Sequence, residues 1–227
     1  MNDKTQAIAK TDDQNFAILR PGGPDAAEII AANAGTGDFS ALLDRITLPS
    51  GGGTSFSVPT MEGEKDYKEL EVVIAAWEDH RVYFAKSFDE TGGGDQPDCF
   101  SNNLDLGVGD PGGECAACPL NEWGSALKGK GKACTEKRML MLLINGRNLP
   151  VKLDVPPSSL VIMRKFFLRL AGEGVKYNQV VVKLSLNAVK NDNGIKYAEV
   201  EAKVSRRLDE VEIAGIEAYT NALTRKR

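Results

Sequence analysis

Apolar residues recur along this chain in short runs with two different periods, and the change of period marks out the elements. Leu70–Trp77 and Val82–Ala85 are rich in β-branched and aromatic residues and are separated by the polar tetrad Glu78-Asp79-His80-Arg81. Read alone, they predict a hairpin with its turn at 78–81. Arg138–Ile144 is a continuous apolar run that predicts a buried strand. Asn145-Gly146 is a turn signal, and Leu149–Val155 alternates as the next strand. Pro156-Pro157-Ser158-Ser159 then opens a helix, with Ser158 or Ser159 as N-cap. Leu160, Met163, Phe167 and Leu170 fall at helical spacing, Arg164, Lys165 and Arg169 lie on the complementary positions, and Gly172 ends the helix. Val180–Leu186 and Ile195–Ala202 flank Asn191-Asp192-Asn193-Gly194 as a second hairpin. Asp209–Leu223 predicts a last helix, with Asp209 and Glu212 as a variant capping box.

Upstream the signals are weaker. Pro24–Asn33 reads as a short Ala-rich helix, and Phe39–Leu43 as a second short amphipathic piece. Residues 1–15 show no periodicity and read as disordered. Residues 1–60 are therefore expected to be an arm, 61–205 the main domain, and 206–227 a C-terminal helix with a basic end. The order of elements is strand, strand, insert, strand, helix, strand, strand, helix. This predicts a mainly β (α+β) fold: an OB-like five-stranded barrel with a loop inserted at 92–136, a helix between strands 3 and 4, and a C-terminal helix.

The longest apolar runs fall far short of the ~20 residues a membrane span needs, and the polar N-terminus lacks the apolar stretch of a secretory signal. A cytoplasmic protein without membrane attachment is expected. The 227 residues, 42% hydrophobic, suffice for one large domain with a real core. The net charge of -4 divides unevenly. Residues 1–98 hold 8 Lys and Arg against 18 Asp and Glu, and residues 99–227 hold 20 against 14. A basic half joined to an acidic one suggests a nucleic-acid partner.

The four cysteines, Cys99, Cys115, Cys118 and Cys134, are spaced C-x15-C-x2-C-x15-C within a glycine-rich segment. A CxxC pair places two thiolates on one tight turn, and two flanking sulfurs can complete a tetrahedral S4 site. One structural Zn2+ per chain is the expectation, with an iron–sulfur cluster as the other use of such a set. Disulfides would need an oxidising compartment, and a thioredoxin-like CxxC would need a strand–helix junction. A four-thiolate site leaves no open position for catalysis. The single histidine, His80, lies outside the cluster and reads as a turn residue.

Between Cys118 and Cys134 the chain runs Trp123-Gly124-Ser125-Ala126-Leu127-Lys128-Gly129-Lys130-Gly131-Lys132. Alternating lysine and glycine give a flexible cationic surface beside an indole, which suits phosphates and a stacking base. Gly124-x4-Gly129-Lys130 matches most of a phosphate-binding loop. Gly131 replaces the hydroxyl residue that would hold Mg2+, however, and no strand precedes the loop. With one histidine and no G-x-S-x-G elbow, a binding protein is expected rather than an enzyme.

Pro97-Asp98-Cys99, Gly112-Gly113-x-Cys115-x2-Cys118-Pro119-Leu120-Asn121-x-Trp123-Gly124-Ser125 and Gly129-Lys130-Gly131-Lys132-Ala133-Cys134 resemble a family of phage and prophage proteins. The resemblance continues through Val155-Pro156-Pro157-Ser158-Ser159-Leu160 and covers about residues 45–220 in outline. It implies a place in phage replication modules, single-stranded DNA binding and a bacterial host cytoplasm. A looser similarity is to the T-even phage helix-destabilising proteins, which carry a zinc-bearing subdomain on an OB-fold. Those proteins use a histidine among their zinc ligands and end in an acidic tail. Here the ligand candidates are four cysteines and the chain ends Thr224-Arg225-Lys226-Arg227.

The expected function is sequence-independent binding of single-stranded DNA in replication or recombination, with replication or recombination proteins as further partners. Arg81, Tyr83 and Phe84 are candidate contacts from the hairpin, and Trp123, Lys128, Lys130 and Lys132 from the insert. Lys137, Arg138 and Arg147 follow it, and Arg164 and Lys165 lie on the helix; Trp77 and Phe166 are assigned to the core. The rival readings are a zinc-stabilised protein-interaction module and, more distantly, a metal-dependent nuclease or recombination enzyme.

Overall fold

The computed structural model describes residues 26–35, 42–86, 96–127, 130–191 and 194–224. In chain order these form α1 (Ala26–Ala34), β1 (Arg45–Ile46), β2 (Phe56–Thr60), β3 (Gly63–Tyr67), β4 (Glu69–Tyr83), β5 (Cys99–Ser101), β6 (Leu106–Gly109) and β7 (Gly113–Glu114). After the cysteine segment come β8 (Thr135–Ile144), β9 (Val151–Val155), α2 (Pro157–Gly172), β10 (Val180–Lys190), β11 (Lys196–Arg207) and α3 (Glu210–Thr224). The fold is mainly β with a few helices, and its sheet is mixed: β1 runs parallel to β9, whereas β10 is antiparallel to both β4 and β11. The strand order is β1-β9-β8-β4-β5-β6-β7, with β10 and β11 branching from β4. Among the described residues no pairing joins β11 to β9, so the expected barrel is not closed. No described helix is long and apolar enough to cross a membrane.

The chain divides into two compact units: residues 1–76, 140–153 and 161–227, and residues 77–139 and 154–160. In the first, Val72, Val73, Ile74 and Ala75 are all buried. Successive side chains of a strand point to opposite faces, so both faces of β4 are covered here. Val73 and Ala75 pack with Leu143, Val181, Leu208 and Ile216, flanked by Met141, Ile213 and Tyr219. Ile213, Ile216 and Tyr219 lie at helical spacing on α3, so this helix closes one side of the core. Its start is fixed reciprocally: Glu212 N–H donates to Asp209 Oδ1 (2.8 Å) and Asp209 N–H to Glu212 Oε2 (3.0 Å). This is the expected capping box. Arg206 adds a two-pronged pair to the same Glu212 (2.7 and 2.8 Å).

Two expectations change. Residues 70–85 do not form a hairpin, because β4 runs unbroken from Glu69 to Tyr83. The polar tetrad that looked like a turn is held in extended form by partners on other segments of the second unit. Asp79 meets Arg138, His80 lies 4.0 Å from Asp154, and Arg81 reaches Glu136 at 3.3 Å. His80 is thus a strand residue. Residues 45–60 also do more than an arm would. β1 pairs with β9, Thr47 bridges Ser57, and Ile46, Phe56 and Val58 are buried. The predicted helix at 24–33 appears as α1, while residues 1–15 and 36–41 lie outside the described residues.

Candidate metal centre and nucleic-acid interface

Short ladders fix the backbone around the cysteines, all four of which lie in the second unit. Cys99 opens β5, opposite Tyr83 of β4 and Gly109 of β6. A Cβ at Gly109 would lie 2.1 Å from the Asp98 carbonyl oxygen, so only glycine permits this approach. The β6–β7 ladder, Leu106 opposite Glu114 and Gly107 opposite Gly113, then delivers Cys115, whose N–H donates to Asp105 O (2.8 Å). Asn103 Oδ1 shapes the preceding turn by accepting from the Asp105 and Leu106 N–H groups (3.0 and 3.1 Å).

After Cys118 the chain makes one 3-10 turn, Pro119–Asn121. Asn121 Nδ2 reaches back to the Cys115 carbonyl (2.8 Å) and closes the CxxC turn. Cys134 is aligned with that turn by its N–H to Leu120 O (2.8 Å). Cys115 and Cys134 are buried, Cys99 and Cys118 half-buried, and all four are free thiols. Burial pushes the Cys134 thiol up in pKa. Arg81 pulls it the other way, and Cys115, Cys118 and Cys99 each add to the rise. The other three sulfurs are therefore within electrostatic reach of Cys134. Among the described residues, no group of three or more His, Cys, Asp or Glu side chains is arranged ready to hold a metal. A Cβ at Gly107 would fall 2.8 Å from Cys99 Sγ, so the absence of a side chain there leaves room beside that sulfur.

The cationic loop is laced to the same framework. Ser125 Oγ shares its one proton between the Leu120 and Glu122 carbonyls (2.9 and 2.7 Å) and accepts from Ala133 N–H (2.9 Å). Gly124 N–H donates to Gly131 O (2.9 Å). Trp123 is 80% exposed, and the Lys132 ammonium lies 5.7 Å from its ring centroid. Lys132 also donates to Asn121 Oδ1 (3.0 Å). Lys130 is exposed, and Lys128 lies outside the described residues.

The remaining candidates divide by accessibility. Phe84 is exposed, and Tyr83 and Lys137 are half-buried. Arg164 and Lys165 are exposed on α2. Arg147 pairs with Asp44 (3.0 Å) in the first unit. Arg81 is only 14% exposed in its side chain, and its guanidinium is engaged with Asn121 and Glu136. Arg138 is buried, forked onto Asp79 (2.7 and 2.8 Å), with its guanidinium carbon 3.9 Å from the Trp77 ring centroid. These contacts turn Arg81 and Arg138 inward. Phe166 is buried as expected, whereas Trp77, expected in the core, is 37% exposed. Reading β4 as one strand would have revealed this, since Trp77, Asp79, Arg81 and Tyr83 then share a face. Asn121 carries no such signal, because its role depends on three groups distant in sequence or in turn geometry. Comparison with protein-family models, with curated proteins and with solved structures yields no match.

Proposed function

We propose that this is a single-stranded DNA-binding protein of phage or mobile-element origin, acting without sequence preference in replication or recombination in a bacterial host cytoplasm. The observation that carries the reading is Trp123: an indole 80% exposed, yet flanked by a lysine and mounted on a hydrogen-bonded loop. Exposing so large an apolar ring to water is unfavourable unless a ligand covers it, and nucleobases stack on such faces. Lys130, Lys132 and Lys137 supply cations for the phosphates. Phe84 offers a second exposed aromatic.

The strand order β11-β10-β4-β8-β9, with a helix between β9 and β10, supports kinship with an OB-fold left open between its third and fifth strands. Cys99, Cys115, Cys118 and Cys134 would hold one structural Zn2+. An all-thiolate donor set and the space beside Cys99 Sγ suit that ion. Zinc bound there would brace the loop that carries Trp123 and would leave no coordination position for a substrate. The chain's own groups then bind phosphates and stack bases, and no bond is made or broken.

Stacking quenches indole emission, so titration with oligo-dT should give saturable quenching. Trp123→Ala should remove most of it and weaken binding by about 1–3 kcal/mol. Full quenching in the variant, or none in the parent protein, contradicts the reading. A second reading is a zinc-stabilised protein-interaction module. It is favoured by Leu106, Val108 and Leu127, exposed at 55%, 71% and 86% in the same segment. It predicts weak oligo-dT affinity together with a stably co-purifying partner.

A further inference from the structure

We propose that this chain associates with copies of itself through two faces of opposite charge. An apolar, acid-rimmed sheet face in the second unit of one copy receives the outer, cationic face of α2 of another. The inference stands apart from DNA and metal binding. It gives Arg164 and Lys165, expected from sequence to meet nucleic acid, a protein partner instead.

The sheet face is built by cross-strand pairing. Phe100 of β5 lies opposite Val82 of β4 and Val108 of β6, and opposite residues of an antiparallel pair share one side of the sheet. Leu106, two positions before Val108, is on that side, as is Glu114, its partner on β7. Arg81 and Cys99 project to the other side, where Arg81 meets Asn121. Exposure rises outward along the row: Val82 is buried, Phe100 is 39% exposed and Val108 71%. Water therefore meets a contiguous apolar strip, which is unfavourable until a partner covers it. The surrounding charge repels a polyanion, since residues 87–127 hold eight Asp and Glu and no Lys or Arg. The fitting occupant is apolar and cationic.

The same chain carries such a face. Met163, Phe166 and Leu170 turn one side of α2 inward, and the exposed Val161 and Leu168 lie on the opposite side. Seven residues apart, these two fall on one line along the axis, flanked by the exposed Arg164 and Lys165. The whole helix holds three Lys and Arg and no Asp or Glu. The faces also agree in length. Val161 and Leu168 are about 10 Å apart along the axis, and the row from β4 to β6 crosses two strand gaps, again about 10 Å. Because the two faces differ, the contact is heterologous: each copy brings one of each, and association runs from copy to copy.

The test follows the mass of the DNA-free full chain by sedimentation velocity over rising concentration, beside the variants Val108→Lys and Leu168→Glu. One helix face on three short strands makes a small interface. The parent mass should therefore rise above the monomer's only as concentration increases, and fall back with added salt. Each variant alone should associate about 10-fold more weakly or worse, because like charges then face each other. An equimolar mixture should regain parent-like association, since the Leu168→Glu chain still offers its sheet face and the Val108→Lys chain its helix. Melting curves check that the variants fold, and Val108→Ser with Leu168→Ser take their place if they do not. A parent chain that stays monomeric overturns the proposal and leaves the sheet face to another protein. Association lost in only one of the two variants, as a symmetric contact would give, overturns it, and so does a mixture that stays monomeric. Parent-like association of Val108→Lys with altered oligo-dT affinity also overturns it, and would make the face a nucleic-acid contact.

Discussion

Arg138 and Lys132 are both cations near a tryptophan, and only their surroundings separate them. Arg138 is buried, stacked on Trp77 and forked onto Asp79, whereas Lys132 is half-buried over an exposed indole. Removing one partner of a buried pair leaves the other charge uncompensated, at a cost of about 3–5 kcal/mol. Asp79→Ala should therefore lower the melting temperature by roughly 6–20 °C and leave the salt dependence of DNA binding unchanged. Lys132→Ala should do the opposite: little change in melting, weaker binding, and a salt slope smaller by about one contact. Calorimetry and binding isotherms on the two variants check this, and a reversed pattern would assign the two cations the wrong way round. The sequence did show cations close to Trp123 between 123 and 138. It did not show which cations face inward, because Asp79, Glu136 and Asn121 reach them across strands.

At the scale of elements, regular segments with local signals were legible. The α2 and α3 helices, the β10–β11 hairpin and the Asp209–Glu212 cap follow from spacing within one turn or one ladder. β4 was not legible, because the partners that keep 78–81 extended lie 55 to 74 positions away in sequence. β1 was missed for a similar reason: a two-residue strand has no period to read, and its place comes from pairing with β9. The packing of α3 offers a test of its own. Tyr219 donates its hydroxyl to Asn148 O (2.7 Å), and burial pushes its pKa up to about 12. An unfolded tyrosine titrates near 10. The folded state thus holds the proton more tightly, and this contribution is fully present below about pH 10 and lost as the pH rises through about 12. Burial raises Tyr177 in the same direction. Tyr219→Phe should cost about 0.5–1.5 kcal/mol at neutral pH and flatten the fall in stability between pH 10 and 12. Parallel alkaline limbs for the two proteins would show that the Tyr219 hydroxyl is not held as described.

For the whole molecule, the sum of charges misleads and their placement informs. A chain of net charge -4 would not be expected to bind a polyanion, yet residues 124–138 hold five Lys and Arg against one Glu. The exposed carboxylates Glu62, Glu64 and Asp66 belong to the β2–β3 hairpin region of the first unit, and the cysteines and Trp123 to the second. The sequence made the α+β class and the order of strands and helices from β8 to α3 legible. It did not show that the barrel stays open, since closure depends on whether β9 takes β11 or β1 as its neighbour, and β1 carries no readable pattern. On the proposed reading, the second unit presents a cationic, aromatic surface to single-stranded DNA. Fluorescence polarisation of labelled oligo-dT, with zinc present and across a series of salt concentrations, tests it most directly. Binding at low salt should exceed binding to duplex and weaken log-linearly as salt rises, with a slope of about -0.7 per phosphate contacted. Zinc-loaded protein that fails to bind oligo-dT at low salt, or binds it with an affinity indifferent to salt, would contradict it.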